Sequence, residues 1–240
     1  AAAGPQPAFV ISSDANVEAL LSLMQPEERA SLSMMTGDIG LALFEWPGAA
    51  SFQDGALPSL RGLTLVDTGR RKVQDTLVCE HLMAGKGSSA PTPVLAVPLC
   101  LNQRRTNREG SVGCEKQFSF ACFSPRPVII RSVWISAEAH REALLQHIRK
   151  VGRKEPILTG VTVYQANDAG LSVLVENASH QDVLFEGELT GLFNMTVSRG
   201  TMSTQDDDIL CTRDVVPPMH GMLLVVAAAM PSGHQYKFNS

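Results

Sequence analysis

Two stretches of this chain are near copies of each other. Residues 11–24 read ISSDANVEALLSLM and residues 135–148 read ISAEAHREALLQHI, with seven of fourteen positions identical at a separation of 124 residues. A repeat constrains a fold strongly, because each copy must bury an apolar face and the architecture becomes a sum of similar parts. The match continues downstream. Gly40-Leu41 recurs as Gly170-Leu171, Gly62-Leu63 as Gly191-Leu192, Gly69 as Gly200, Gln74-Asp75 as Gln205-Asp206, and VLAV at 94–97 as LVVA at 224–227. These later offsets are 130, 129, 131, 131 and 130, so one insertion after the second copy of the first stretch accounts for the step. The reading is tandem duplication, with units over 8–125 and 128–240. The junction SPRPVIIRSV carries two prolines, which favour extended chain. With 240 residues, 44% apolar and 18% charged, each half has material for its own core.

Periodicity sets the expected local structure. Val17, Leu20, Leu21 and Met24 fall at i, i+3, i+4 and i+7, one stripe of a helix. Ser12 or Ser13 would cap it, Asp14 suits its positive end, and Pro26 would stop it. In the second copy Leu144, Leu145, Ile148 and Val151 form the stripe, Ser136 caps it and Gly152 ends it. Elsewhere the period is two. GVTVYQA (160–166), LSVLVE (171–176), DVLFEGEL (182–189), LFNMTV (192–197), MLLVVAAAM (222–230) and QYKF (235–238) read as short strands. Asn167 to Gly170 is a turn, and Pro231 to His234 is expected to close the last hairpin. In the first unit VLAVPL (94–99) and QFSFACF (117–123) are expected to form a hairpin around the polar loop 102–116. The predicted class is mainly β with flanking helices (α+β): two tandem β-sandwich domains, each opened by one helix.

The bulk properties exclude several roles. A formal charge of −4 argues against a nucleic-acid module. The longest apolar run, Met222 to Met230, falls well short of the roughly 20 residues a spanning helix needs. The start AAAGPQPA has no basic region or apolar core and reads as a linker within a longer chain. The cysteines, Cys79, Cys100, Cys114, Cys122 and Cys211, are odd in number and form no C-x-x-C pair. Reduced thiols of a cytoplasmic protein are expected. Asn177-Ala178-Ser179 and Asn194-Met195-Thr196 match the glycosylation triplet, but both lie in strand-like runs and are read as chance.

FSFACFSPRPVII followed by the second helix, then GLSVLVENASHQDVLFEGELTGLFNMTVSRGTMSTQD and VVPPMHGMLLVVAAA, resembles the C-terminal region of calpain-type cysteine proteases, most of all the small-optic-lobes calpains. The resemblance runs over roughly 90–230 and is most specific over 170–226. It implies non-catalytic, calpain-type β-sandwich domains that accompany a papain-like protease core. That core's Cys/His/Asn set is not found in this sequence. The chain departs from the family pattern at DDILCTRD (207–214), between Gln205-Asp206 and the proline pair.

Several residues invite chemistry. Asp206, Asp207 and Asp208 could offer oxygens to calcium, or form a solvated acidic loop; the first unit keeps only Asp75 of the three. Cys211 and His220 suggest a thiol–imidazole pair, but no third group orients it. His140 and His147 stand about 10 Å apart along one helical face, too far for one metal, and are read as surface or interface histidines. Arg104, Arg105, Arg108 and Lys116 make a basic loop that could meet an acidic partner or a lipid head group. The polar run SRGTMSTQD places Ser198, Arg199, Gly200, Thr204 and Gln205 as turn chemistry or as a docking surface for a protease core. Between the two copies, Val17 becomes Arg141, Asn16 becomes His140 and Leu23 becomes His147; Arg141 and His147 are expected to mark a protein interface.

The sequence thus points to a non-catalytic regulatory or protein-interaction module of a calpain-like cysteine protease. One alternative is a structural docking subunit of a large assembly, cytoskeletal for example. Another is a calcium-dependent phospholipid-binding module. No cofactor is expected, with calcium the one candidate. The expected partners are proteins, either the protease core of the same chain or a large assembly, and neither nucleic acid nor a membrane surface.

Overall fold

The computed structural model describes residues 4–25, 38–46, 56–73, 76–83, 91–100, 118–168, 170–193, 195–197, 201–202, 209–229 and 237–239. They fall into two compact units that divide between His147 and Ile148. The first holds β1 (Gln6–Ser12), β2 (Val17–Met24), β3 (Asp38–Glu45), β4 (Ala56–Leu57), β5 (Leu65–Val73), β6 (Thr76–Met83), β7 (Val94–Leu99), β8 (Ser119–Phe123) and β9 (Ile129–Ile135). The helix α1 (Ala137–Val151) follows and runs across the division. The second unit holds β10 (Arg153–Leu158), β11 (Val161–Ala166), β12 (Gly170–Asn177), β13 (Val183–Phe193), β14 (Met195–Val197), β15 (Thr201–Met202), β16 (Ile209–Val216), β17 (His220–Ala229) and β18 (Lys237–Asn239).

In unit 1 a six-stranded sheet, order β4-β9-β1-β7-β3-β5, faces a three-stranded sheet, order β6-β2-β8. Ile11, Leu41, Leu43, Val94 and Ala96 of the first sheet share one core with Val17, Ala19, Leu21, Leu23 and Leu77 of the second. Unit 2 pairs a five-stranded sheet, β10-β11-β12-β17-β14, with a four-stranded one, β15-β16-β13-β18. Val163, Leu171, Val173, Val175 and Leu224 meet Leu189 and Val216 in its core. The described chain is therefore mainly β with one helix, and each unit packs sheet on sheet.

The first expected helix does not form. Residues 11–24 are the end of β1, a turn, and β2. In β2, Val17, Ala19, Leu21 and Leu23 alternate inward and are buried, while Glu18 is exposed. The same letters satisfy a period of two as well as 3.6, and β-branched Val17 suits a strand. Ser13 shapes the turn before it, with its Oγ donating to Ala15 O at 2.9 Å and accepting from Ala15 N at 3.3 Å. The second copy is a helix. Its Arg141 stands where β2 has the buried Val17, which removes the first inward position of the alternation.

Both expected hairpins are also overturned. β7 pairs with β1 and β3, whereas β8 pairs with β2. Likewise β17 pairs with β12 and β14, whereas β18 pairs with β13. In each unit the two strands therefore lie in different sheets. In unit 1, Phe120 and Cys122 of β8 pack against the core that holds Val94 and Ala96 of β7.

Most strands of the two units follow a common plan. Strands β1, β7 and β3 lie side by side as β12, β17 and β14 do, and β6-β2-β8 matches β16-β13-β18. In chain order β1, β2, β3, β6, β7 and β8 correspond to β12, β13, β14, β16, β17 and β18, whereas β5 pairs with β3 in one sheet and β15 with β16 in the other. The repeat at VLAV and LVVA links corresponding strands, β7 and β17. The repeat of Gly40-Leu41 at Gly170-Leu171 does not: it links β3 to β12, which flank the matching central strand on opposite sides.

Candidate interaction surfaces

Helix α1 shows how the unit 1 residues of interest are held. Ser136 caps it, its Oγ accepting from Ala139 N at 3.0 Å and donating to Pro58 O at 2.6 Å. Glu142 then clamps the 59–61 segment. Its carboxylate accepts from Ser59 Oγ at 2.8 Å and from Leu60 N, and pairs with Arg61 at 3.4 Å. Two turns of the buried face follow with Ala139, Ala143 and Leu144.

The helix histidines are not on the surface. His140 is half-buried, with Nε2 3.1 Å from Pro98 O. A carbonyl only accepts, so Nε2 carries the proton. Burial holds the His140 pKa below 6.5, against an upward pull from the bond to Pro98. His147 is fully buried, with Nδ1 2.7 Å from Thr68 Oγ1. The Thr68 hydroxyl donates to Leu41 O at 3.0 Å, so it accepts from Nδ1–H of His147. The expected exposed interface position is thus an interior one. The physical reason is that a seven-residue spacing returns to the same helical face, and here that face is the buried one. Arg141 is exposed, as a surface role requires, and pairs with Glu138 at 3.6 Å.

Asp206, Asp207, Asp208, Ser198, Arg199, Gly200, Thr204 and Gln205 lie outside the described residues, as do the basic loop residues Arg104, Arg105, Arg108 and Lys116. Among the described residues, no group of three or more His, Cys, Asp or Glu side chains could hold a metal ion.

The thiols do not form a catalytic arrangement among the described residues. Cys79, Cys100, Cys122 and Cys211 are in no disulfide. Burial, with added repulsion from Asp67 and Glu80, pushes the Cys79 thiol up to about 11. Burial raises Cys122 as well. Both stay protonated near neutrality and are poor nucleophiles. Cys211 pairs with Glu188 and Thr201 in one sheet, while His220 pairs with Asn177 in the other. His220 Nδ1 is 2.7 Å from Pro218 O.

One polar residue of consequence was read only as a chance glycosylation triplet. Asn177 is buried, and its Nδ2 donates to Gln181 O at 2.7 Å, Val216 O at 2.9 Å and Pro217 O at 3.1 Å. Its Oδ1 accepts from Ser179 N at 3.0 Å and Ser179 Oγ at 2.6 Å. It fastens the end of β12 to the end of β16 across the two sheets. A sequence signal existed: Asn followed by a turn at a strand end is a common side-chain-to-backbone turn.

Among the described residues no group of reacting side chains emerges, and their surface carries the remaining information. Exposed large apolar residues include Val78, Leu82, Phe123, Ile130 and Trp134 in unit 1, and Leu158, Leu184, Val215 and Met219 in unit 2. Single exposed apolar residues are ordinary, but groups of them mark contact sites. No described helix is long and apolar enough to cross a membrane.

Residues 147–240 match the family model described as Calpain-D-like, C-terminal domain. The C-terminal region of this chain is of calpain type. The match covers nearly all of unit 2 and begins at the residue before the division between the units. A calpain-type C-terminal domain is a non-protease portion of a calpain. No curated protein and no solved structure matches the chain.

Proposed function

We propose that this chain is a non-catalytic regulatory or protein-interaction module of a calpain-like cysteine protease, made of two tandem calpain-type β-sandwich domains. The observation that carries this reading is the calpain-type match over 147–240. The strand plan that the two units largely share supports a duplication. Such sandwiches offer large rigid faces and loop clusters for contact, and the partner of first choice is the protease core of the parent chain. The four described cysteines, none in a disulfide, suit a reducing compartment, and we assign the module to the cytoplasm.

Peptidase activity of the purified chain on a casein-type substrate tests the reading. No turnover is expected with or without calcium. Turnover that disappears in Cys211→Ala or Cys122→Ala would overturn it.

A further inference from the structure

Unit 2 opens with a strand that gives no side chain to a core. All six residues of β10, Arg153 to Leu158, are exposed. Each other strand whose burial is described throughout has at least one half-buried or buried residue. A strand in a sandwich ordinarily turns one face inward. β10 is instead held by its ladder to β11, from Arg153 opposite Gln165 to Leu158 opposite Val161. Its far end leaves Ile157 and Leu158 43% and 63% exposed, so folding gains little from either.

Its near end is cationic, and the charge continues back onto α1. Residues 149–154 read RKVGRK, four cations in six positions with no Asp or Glu, in a chain of formal charge −4. Arg149 and Lys150 lie in the last turn of the helix, where cations complement its negative end. Gly152 makes the link to β10 tight. Its N–H donates to Ile148 O at 2.8 Å, and a Cβ there would meet the same oxygen at 2.5 Å. The cations are thus fixed on a helix end and a strand, and not on a loop.

Register places them. Lys154 is opposite Tyr164, and Thr162, two residues away on β11, is opposite Glu176. Alternate residues of a strand and their direct partners share a face. Lys154 therefore lies on the side where Arg149 pairs with Glu176 at 2.6 Å. Arg153 lies on the other side and reaches Glu155 at 3.6 Å, with its own side chain 77% exposed. Lys150 and Lys154 are exposed and have no ion pair among the described residues. Pro156 brings no N–H and Lys154 is charged, so β10 is poorly suited to strand addition. What it offers is side chains. The helix dipole and the blunting of an outer strand account for the cations, but neither accounts for an exposed Ile157 and Leu158 beside them.

We propose that the rim formed by the last turn of α1 and β10 docks an acidic segment of a protein partner. Lys150, Arg153 and Lys154 meet its carboxylates, and Ile157 and Leu158 meet apolar side chains beyond them. The two parts of the site are about 13 Å apart along the strand, four residues at about 3.3 Å each. Net negative charge on the whole chain disfavours large polyanions, whereas a short acidic segment feels the local cations. This rests on the interaction-module reading and names the kind of partner.

The test uses the whole 240-residue chain and a short fluorescein-labelled peptide that joins a run of glutamates to leucine and valine. One control peptide has glutamines for the glutamates, and another has serines for the leucine and valine. Anisotropy should rise with the first peptide, fall back as salt is raised, and stay lower with both controls. The peptide should also protect Lys150 and Lys154 from an amine-reactive reagent. Lys150→Glu combined with Lys154→Glu should weaken binding about tenfold or more, and Leu158→Ser several-fold. Arg126→Glu combined with Arg131→Glu changes the net charge equally on unit 1 and should leave binding unchanged. All these positions are exposed, so the variants retain the fold, and unchanged circular dichroism verifies that. Absence of binding, equal binding of the glutamine peptide, or an equal loss in the unit 1 variant would overturn the proposal. Sedimentation with phosphatidylserine vesicles by a chain that ignores the peptide would overturn it too, in favour of a membrane contact. Mass spectrometry of the same samples separates the two claims: an intact but unbound peptide sinks the rim site alone, while a cleaved peptide sinks the non-catalytic reading.

Discussion

Glu142 and His140 illustrate how single residues of α1 are tied to unit 1. The Glu142 carboxylate serves the Leu60 amide and the Ser59 hydroxyl. Glu142→Ala leaves the part-buried Leu60 N–H without that acceptor, so a loss of about 1–3 kcal/mol is expected in urea unfolding. Arg61→Ala should cost far less, because Arg61 is 88% exposed and such ion pairs contribute little. His140 makes stability depend on pH. Its folded pKa lies below the ordinary 6.5 because burial disfavours the imidazolium. The unfolded chain therefore binds more protons just below that value. The His140 contribution is fully present above the unfolded pKa and is lost as pH falls through the lowered folded one. Unfolding midpoints measured from pH 7.5 to 5 should fall for the wild type and fall less for His140→Gln.

At the scale of an element, the two copies of EALL separate what a motif says from what its setting says. Read as a helix, the first copy would bury Val17, Leu20, Leu21 and Met24. As β2 it buries Val17, Ala19, Leu21 and Leu23, with Leu20 only half-buried. Leu23→Ala should thus cost about 2–5 kcal/mol, as truncation of a fully buried leucine does, and Leu20→Ala clearly less. Equal costs at both sites would speak for the helix. In the second copy Ser136→Ala should cost about 1 kcal/mol through loss of the N-cap. The legible part was the strands β11, β12 and β7 and the helix from its cap to Gly152, although β12 and β7 are buried on both faces and do not alternate. The illegible part was 11–24, because Val17, Ala19, Leu21 and Leu23 fit two periods and nothing local excludes either.

Across the whole molecule, the plan depends on pairing between distant segments. Asn177 ties the end of β12 to Val216 and Pro217, some forty positions away along the chain. Asn177→Ala removes five hydrogen-bond contacts at a buried site. A loss of about 2–4 kcal/mol is expected in the unfolding of unit 2. A wild-type-like midpoint would show that the two sheets are fastened elsewhere.

The amino-acid sequence by itself determined that this chain is mainly β and that its C-terminal region is of calpain type, because composition, local periodicity and family motifs are written in consecutive residues. Only the tertiary structure decided which strands correspond. It turned the first apparent helix into two strands, sent β7 and β8 to opposite sheets, and buried His147. Each of these depends on which surfaces meet. A run such as VEALLSLM can bury its leucines equally well in two ways, and the sheet waiting opposite it settles the choice.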